Sequence, residues 1–362
     1  MNRVSIVAVF CVVFAPALTR ADKVDDFIRE DMAKSKVPGL TIAVVKDGKV
    51  LKAEGYGLAN VEHKVPAKRE TVYQSGSVGK QFTATAVMLL VEDGKIKLDD
   101  PVSKYLPETP PEWAEITVRH VLTHTAGIAD YTSKLDLTRN YTEDELLKKA
   151  YAFKLDFPPG EKWSYSNTGY AVLGILVSKV ADQFYGDFMK ERIFKPLEMT
   201  TARIINERDI IPNRAAGYEF PRGYLKNQSW VAPQTNTTGD GSLYLTVDDF
   251  IKWDAALYTE KILKKSSLET MWTPVKTKDG KVHEYGFGWQ LDRVNGHKRV
   301  AHGGAWQGFT TCIERYVDDK LMIVVLQNAA PRNSAKGPGG NADLVAPAVA
   351  ALYEPELAEK KK

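Results

Sequence analysis

The sequence that decides the fold reads Leu40-Thr41-Ile42-Ala43-Val44-Val45, then Asp47-Gly48, then Val50-Leu51-Lys52-Ala53-Glu54. β-Branched residues in a short apolar run favour a strand, and Asp-Gly between two such runs favours a tight turn. The stretch therefore predicts an antiparallel hairpin near the start of the chain. The amphipathic segment before it, at 23–35, is expected to form a short helix.

The last third of the chain repeats the strand pattern. Apolar or alternating runs lie at 286–291, 299–302, 310–316 and 321–327, with turns at Asn295-Gly296 and Asp318-Asp319 and a final helix predicted at 342–353. The middle of the chain has helical periodicity instead, at 78–93, 117–124, 143–152, 168–182 and 246–257.

Strands therefore cluster at both ends of the chain. This order predicts an α/β (α+β) fold, in which an antiparallel sheet built from N- and C-terminal strands is flanked by the terminal helices and a mostly helical domain is inserted between them. We assign residues 22–62 and 280–362 to the discontinuous sheet domain and 63–279 to the helical domain. A cleft at their junction is expected to hold the functional site.

Residues 1–21 differ from the rest in composition. Asn2-Arg3 precede a mostly apolar run at 4–15, and small residues around Ala21 come before charged Asp22-Lys23. This pattern is typical of a secretory signal peptide. The alternative is a membrane anchor, but the run is shorter than the roughly 20 apolar residues that a spanning helix needs. We expect cleavage near Ala21, export to the periplasm or medium, and no integral membrane segment in the mature chain.

The net charge of the chain is small. Its formal net charge is +3, and loss of Arg3 and Arg20 with the signal peptide leaves +1. Such a charge predicts binding to neither nucleic acid nor an anionic membrane. The signal peptide also contains one of the two cysteines, so Cys312 remains alone and cannot form an intramolecular disulfide. The oligomeric state has no sequence signal.

Ser77-Val78-Gly79-Lys80 is the first of three segments suited to catalysis. It lies where extended residues 72–74 meet a long apolar helix, and a spacing of three places Ser77 and Lys80 on one helical face. An amine there can take the hydroxyl proton and make the serine oxygen a nucleophile. The same spacing also suits a helix-capping serine beside a solvated lysine, so the segment alone does not decide between them.

The second segment is the loop from Phe157 to Asn167, before a helix expected to begin near Thr168. Such a loop can hold the Tyr165 phenol and the Asn167 carboxamide pointing the same way. Cations nearby would let Tyr165 pass a proton between Ser77 and a leaving group. The structural alternative is a tyrosine packed at an interface and an asparagine that caps the helix.

The third segment, from Arg299 to Trp306, ends a late strand. Its glycines allow a substrate backbone or acyl group to approach the strand closely. The backbone N–H of Ala305 could pair with that of Ser77 to form an oxyanion hole. The alternative is a strand end with a loop histidine.

Together, these segments resemble the serine β-lactamase, penicillin-binding protein, D,D-peptidase and esterase family. Its hallmarks are Ser-x-x-Lys, Tyr-x-Asn and a Lys-Thr-Gly or His-x-Gly strand. They occur here, in that order, as Ser77 to Lys80, Tyr165 to Asn167 and His302 to Gly304, and the resemblance covers about 23–353. It implies a β-lactamase/transpeptidase-like fold. The framing segments that also match are 81–84, 98–101, 121–127, 158–160 and 285–289.

The resemblance also implies a mechanism. Ser77 attacks an acyl carbonyl while Lys80 and Tyr165 take its proton, and which of the two is the base stays open. Water then releases the acyl group, with no metal and no cofactor. The partner is a small-molecule or peptide acyl substrate. The implied substrate-binding and oxyanion residues are Asn167, His302, Gly303, Gly304, Ala305 and Trp306.

One departure from the family pattern bears on the substrate. β-Lactamases of this type usually carry Lys-Thr-Gly where this chain has His302-Gly303-Gly304, and esterases and D-aminopeptidases often carry histidine there. Histidine is largely neutral at pH 7 and so is a poor partner for the carboxylate of a drug. The sequence predicts hydrolysis of an ester or a D-amino-acid amide, with weak β-lactamase activity. The alternatives are a cell-wall-peptide sensor that acylates without efficient turnover, and a purely structural scaffold.

The remaining motifs in the sequence do not indicate a further catalytic or metal site. Gln74 and Gln81 exclude a phosphate-binding loop, and Ser75 excludes the nucleophile elbow of α/β-hydrolases. His120 and His124 have metal-ligand spacing but no acidic partner, so we interpret them as scaffold. Specificity is expected to come from the loops at 130–142 and 205–235, and the predicted pocket walls are Tyr131, Tyr244 and Trp306.

Overall fold

The computed structural model of the chain describes residues 20–358. Its α-helices are α1 (Arg20–Ser35), α2 (Lys80–Glu92), α3 (Val118–Leu122), α4 (Glu143–Ala152), α5 (Asn167–Ala181), α6 (Tyr185–Met189), α7 (Val247–Ala256), α8 (Lys265–Met271) and α9 (Ala342–Tyr353). Its strands are β1 (Gly39–Lys46), β2 (Lys49–Asn60), β3 (Val65–Pro66), β4 (Tyr73–Gln74), β5 (Arg203–Ile204), β6 (Tyr218–Glu219), β7 (Lys226–Asn227), β8 (Leu243–Leu245), β9 (Val275–Lys276), β10 (Val282–His283), β11 (Gln290–Val294), β12 (His297–Trp306), β13 (Phe309–Tyr316) and β14 (Leu321–Gln327). The predicted signal peptide at 1–21 lies outside the described residues, apart from the first two residues of α1. Within 20–358 no helix combines the length and the apolar character needed to cross a bilayer.

Seven of the described strands form an antiparallel sheet in the order β11-β12-β13-β14-β1-β2-β3, and the others form three small sheets. Strand β1 lies between β14 and β2, with Leu40 opposite Gln327 on one side and Tyr56 on the other. Asp47 and Gly48 form the turn of the β1–β2 hairpin with φ of 49° and 72°, the left-handed values that favour Asp-Gly there. The predicted sheet from both ends of the chain is confirmed.

Both faces of this sheet are covered, which explains the unbroken apolar run in β1. Successive side chains of a strand point to opposite faces. Leu40, Ile42 and Val44 therefore pack in one cluster with residues of α1 and α9, while Ala43 and Val45 join the larger core that contains the central helices. Each such aliphatic side chain removed from water contributes about 1.5–3 kcal/mol, so both layers hold the sheet.

Five helices, α2, α3, α4, α5 and α7, lie on the five segments with predicted helical periodicity, whereas α6 and α8 were not predicted. Helix α4 occupies the predicted residues, and its N-terminus is closed by a capping box between Thr142 and Glu145. Helix α7 has the same device between Thr246 and Asp249. In each case the side chains satisfy backbone N–H groups that the helix itself leaves unpaired.

One strand prediction is wrong. The run at 286–291 was expected to be a strand, but β11 begins only at Gln290. Gly288 has a φ of 74°, and a β-carbon there would lie 2.8 Å from the backbone oxygen of Lys80; at Gly286 it would lie 2.0 Å from the backbone oxygen of Met271. Because these glycines are used to pack the loop tightly on neighbouring backbone, the segment bends instead of extending.

Candidate active site

The Ser77 hydroxyl stands on a tight turn between a strand and a helix. Strand β4 ends at Gln74, the residues Gly76–Gly79 form a 3₁₀ turn, and α2 begins at Lys80. Strand β4 pairs with β8, and the Ser75 hydroxyl donates to the backbone oxygen of Gly241 at 2.8 Å. Hydrogen bonds therefore fix the residues just before Ser77 to the 238–242 segment and to β8.

Lys80 contacts Ser77 directly. Its Nζ lies 3.1 Å from the Ser77 Oγ, 2.8 Å from the Asn167 Oδ1 and 2.5 Å from the backbone oxygen of Asp240. The Lys80 side chain is completely buried. An ammonium has three protons to donate, and all three find an oxygen here, which is how this cation is tolerated inside the protein.

Asn167 is held in place by a carboxylate. The Asp130 Oδ2 accepts from the Asn167 backbone N–H at 2.6 Å and from its Nδ2 at 3.0 Å. These bonds turn the Asn167 oxygen toward Lys80. The helix-cap interpretation of Asn167 is wrong, because the side chain of Ser166 caps α5 by accepting from the Gly169 N–H.

Tyr165 lies against Lys80 through its ring. The Lys80 Nζ is 4.9 Å from the centroid of the Tyr165 ring. The His124 ring packs between two tyrosines, with its centroid 4.3 Å from that of Tyr165 and 4.8 Å from that of Tyr285. The Tyr165 hydroxyl is buried and has no hydrogen-bond partner within residues 20–358. The structure thus brings the three predicted catalytic side chains together, with the phenol held by ring contacts.

Strand β12 approaches the Ser77 turn so closely that glycine is required on both sides. A β-carbon at Gly76 would lie 2.5 Å from the backbone nitrogen of Ala305, and one at Gly304 would lie 3.0 Å from the backbone nitrogen of Ser77. Gly303 is different, since a β-carbon there would meet its nearest neighbour, the Thr311 oxygen, only at 4.0 Å. The contact brings the backbone around Ala305 against the turn that contains Ser77.

His302 is placed differently from the expectation that it binds substrate. Its side chain is buried, with Nε2 3.0 Å from the Tyr285 hydroxyl and Nδ1 2.6 Å from the backbone oxygen of Gly303. Burial, and then the positive charge of Lys80, lower the pKa of His302 to about 3. The same two causes, with His302 itself, hold the pKa of His124 well below its ordinary value. Both imidazoles are neutral at pH 7.

A cavity of about 270 Å³ opens over Ser77. Its walls are Gly76, Ser77, Tyr131, Thr132, Asn167, Thr238, Asp240, Gly241, Ser242, Ala305 and Trp306. Two of the predicted pocket walls, Tyr131 and Trp306, are therefore in place. Tyr244 is not, because it lines a separate cavity with Gln74 and Arg214. A larger surface groove of about 570 Å³ lies elsewhere and has no serine in its lining.

Two acidic residues of this site were missed by sequence reasoning. Asp130 holds Asn167, and Asp240 supplies a backbone oxygen to Lys80 and a carboxylate to the cavity wall. The signals were an aspartate beside the predicted wall Tyr131 and another between two glycines, Gly239 and Gly241. Across residues 20–358 there is no group of three or more His, Cys, Asp or Glu side chains suited to holding a metal ion.

The chain is similar in sequence to known bacterial proteins. The chain is 31% identical to penicillin-binding protein 4* of Bacillus subtilis over 310 residues, which cover 80% of this chain and 67% of that protein. It is 28% identical to a D-aminopeptidase of Gluconobacter oxydans over 330 residues, 88% of this chain and 60% of that protein.

Solved structures show the same fold. An octameric penicillin-binding protein homologue from Pyrococcus abyssi superposes with a TM-score of 0.80 at 32% identity, over 92% of this chain and 77% of that one. A D-amino acid amidase from Ochrobactrum anthropi superposes with a TM-score of 0.75 at 24% identity, over 85% and 91% of the two chains; this second likeness concerns the fold alone. The family model described as Beta-lactamase matches residues 24–346. The chain therefore belongs to the β-lactamase family.

Proposed function

We propose that this protein is a serine hydrolase that forms an acyl-enzyme on Ser77 and releases the acyl group to water. The observation that carries the proposal is the 3.1 Å contact between the Ser77 Oγ and the Lys80 Nζ at the edge of the cavity. A hydroxyl is a weak nucleophile until a base accepts its proton. A buried amine in hydrogen-bond contact is positioned for that role.

The surroundings of Lys80 suit a base. Two of its three polar contacts are the Asn167 Oδ1 and the Asp240 backbone oxygen. Both oxygens can accept a hydrogen bond but cannot donate one. A neutral amine would keep two N–H groups for them and direct its lone pair at Ser77. The proton taken from Ser77 would then complete the ammonium seen in the three-donor arrangement. In this proposal the Ser77 oxygen bonds to the acyl carbon as its proton moves to Lys80.

The tetrahedral intermediate carries negative charge on the former carbonyl oxygen. The close approach of β12 to the turn at Gly76 and Gly304 supports a site for that oxygen there, and we propose that the backbone N–H groups of Ser77 and Ala305 bind it. When the intermediate collapses, the bond to the leaving group breaks and the leaving group takes a proton. Water repeats the attack on the acyl carbon and restores Ser77.

Tyr165 is the second group proposed to move protons. Its ring lies against Lys80 and its hydroxyl makes no bond within the described chain. A buried hydroxyl without a partner is costly in a folded protein, so a role in the reaction is a better account than one in folding. We propose that Tyr165 donates its hydroxyl proton to the leaving group and takes up in return the proton that Lys80 removed from Ser77, so that both side chains return to their starting states. In the alternative, Tyr165 accepts the Ser77 proton while it passes its own proton to Lys80.

The substrate class follows from the charges around the cavity. His302 is buried and neutral, and in the part of the chain that the structure describes no lysine or arginine lines the cavity. A β-lactam or D,D-peptide substrate brings a carboxylate that a cation would normally bind. The lining therefore supports an ester or a D-amino-acid amide as substrate, with weak β-lactamase activity. The proposed place of action is outside the cytoplasm, from the pattern at 1–21.

Covalent labelling tests the proposal. A fluorophosphonate probe is expected to add one mass equivalent to the wild-type protein, and peptide mass spectrometry should place it on Ser77. Ser77→Ala is expected to stay unlabelled, while Ser242→Ala, a serine of the same cavity, should label normally. An unlabelled, folded wild type would contradict the proposal.

A substrate screen then separates turnover from simple acylation. p-Nitrophenyl butyrate, D-alanyl p-nitroanilide and nitrocefin are assayed in parallel. We expect steady release from the first two and slow release from nitrocefin. A burst of one equivalent with no steady rate on any of them would indicate the cell-wall-peptide sensor instead.

A further inference from the structure

Asp240 presents a carboxylate to the cavity that contains Ser77. It is partly exposed, and among residues 20–358 it is the one Asp, Glu, Lys or Arg side chain in the cavity lining. Lys80 lies beneath, but its ammonium bonds the backbone oxygen of Asp240 and not the carboxylate. The wall beside the nucleophile therefore has a negative charge with no lining cation to neutralise it.

The loop that contains Asp240 is held against α2 and Ser75 by hydrogen bonds. Thr83 donates to the backbone oxygen of Gly239 at 2.6 Å, Lys80 to that of Asp240 at 2.5 Å and Ser75 to that of Gly241 at 2.8 Å. Three successive carbonyls are thus held by side chains from around Ser77. A group fixed in this way meets a ligand without losing much conformational entropy.

The carboxylate itself has bonding capacity left over. Within the described chain it accepts from the Tyr131 hydroxyl at 2.9 Å and from the Thr238 hydroxyl at 2.5 Å. Tyr131 is buried, and burial and then the negative charge of Asp240 raise its pKa well above the ordinary value, so it stays a donor. An ionised carboxylate has about four acceptor positions.

Asp130, the other carboxylate nearby, makes a useful contrast. It accepts from the backbone N–H groups of Asn167 and Thr132, from the Asn167 Nδ2 and from the Thr132 hydroxyl. Those four donors saturate it, as expected for a purely structural carboxylate. Asp240 has half as many donors and faces the cavity, as expected for a carboxylate that binds a ligand.

We propose that Asp240 binds a positively charged amino group of the substrate close to the scissile carbonyl. The enzyme would then favour acyl donors with a free ammonium, such as an unblocked D-aminoacyl amide, over neutral analogues, and would disfavour donors with a carboxylate at that position. This inference rests on the proposed function and names the substrate class of the same site.

The competing account is that Asp240 only orients Tyr131 and Thr238. Asp240→Asn separates the two accounts, because the asparagine oxygen still accepts from one of the two hydroxyls and its NH2 can donate to the other hydroxyl oxygen, while the negative charge is lost. The readout is the ratio of kcat/KM for D-alanyl p-nitroanilide to that for N-acetyl-D-alanyl p-nitroanilide. Any effect of the variant on Lys80 or Ser77 acts on both substrates and cancels in the ratio.

We expect wild type to prefer the free amine and the ratio to fall about ten- to a hundred-fold in Asp240→Asn, the usual worth of a hydrogen bond to a charged group. Glu62→Gln is the matched control, since it removes an exposed carboxylate from the separate cavity that Tyr244 lines, and should leave the ratio unchanged. A ratio that Asp240→Asn does not alter would overturn the proposal. If wild type fails to label at Ser77, the proposed function falls instead.

A second measurement needs only wild type, in case Asp240→Asn does not fold. D-Alaninamide and N-acetyl-D-alaninamide are compared as competitors of p-nitrophenyl butyrate hydrolysis. The free amine is expected to compete at a concentration at least about ten-fold lower. Equal competition by the two compounds would also overturn the role of Asp240.

Discussion

Gly304 lies so close to Ser77 that a β-carbon on Gly304 would stand 3.0 Å from the Ser77 backbone nitrogen, and 2.3 Å from the Ser75 oxygen. Gly304→Ala must therefore push β12 away from the turn. We expect it to lower the free energy of unfolding by about 1–3 kcal/mol and to slow fluorophosphonate labelling of Ser77. Denaturant unfolding and labelling rates measure both. Gly303→Ala, which has open space at 4.0 Å, is the stability control; equal losses in the two variants would contradict this explanation.

Tyr165→Phe removes a hydroxyl that holds nothing in place. Because that buried hydroxyl has no partner within the described residues, its loss is expected to leave the free energy of unfolding unchanged or to raise it by up to about 1–3 kcal/mol. If the phenol moves protons, ester hydrolysis should fall about 100- to 10,000-fold. Steady-state assays and thermal unfolding of the same preparation test the pair of outcomes. Activity close to that of wild type would remove Tyr165 from the mechanism.

Arg315 and Asp254 tie the sheet to the helices. Arg315 of β13 donates from Nε to the Asp254 Oδ1 of α7 at 2.6 Å, and both side chains are buried. Removing one partner of such a pair leaves an uncompensated buried charge, so Asp254→Ala is expected to cost about 3–5 kcal/mol of unfolding free energy. Asp248→Ala breaks the exposed Arg69–Asp248 pair and should cost at most about 1 kcal/mol. Urea titration of both variants makes the comparison, and similar costs would refute it.

The buried histidines predict acid lability. Burial, and then Lys80, lower the pKa of His302 from 6.5 to about 3, so between those pH values the unfolded chain binds more protons than the folded one. The free energy of unfolding is therefore highest above about pH 6.5. It decreases as the pH falls through this window, by up to about 1.4 kcal/mol per pH unit for His302.

His302→Gln is the test of that slope. We expect a flatter dependence of unfolding free energy on pH between about 4 and 6, with a remainder due to His124, whose pKa is also lowered. His63→Gln, at an exposed histidine, should keep the wild-type slope. A His302→Gln protein as acid-sensitive as wild type would show that another group controls the effect.

Local patterns predicted the sheet well, because its signals lie within a few residues of one another. The Asp47-Gly48 turn and the apolar run of β1 specify a hairpin without reference to the rest of the chain. The contact between Ser77 and Lys80 also follows from a spacing of three at the start of a helix. The segment at 286–291 misled because its glycines serve packing against distant backbone, which no local pattern records.

The parts of the site that escaped prediction depend on long-range folding. Asp240 meets Lys80 only when β8 pairs with β4, and Asp130 meets Asn167 only when the loop after α3 reaches α5. His302 looked like a residue of the binding surface, yet Tyr285 covers it. The exposed face of a strand depends on which residues pack over it. The local sequence of β12 does not predict that Tyr285 packs over His302.

The position of β1 between β2 and β14 also governs when the protein can work. A ribosome makes β1 early and β14 near the end, so the pairing of Leu40 with Gln327 cannot form while most of the polypeptide is still being synthesised. Until then β1 exposes an unsatisfied edge, which invites pairing with other chains. Closing such a distant contact is also slow. Ala305 reaches the Ser77 turn through these same late strands, so a nascent chain lacks one of the two N–H groups that we propose for the oxyanion hole.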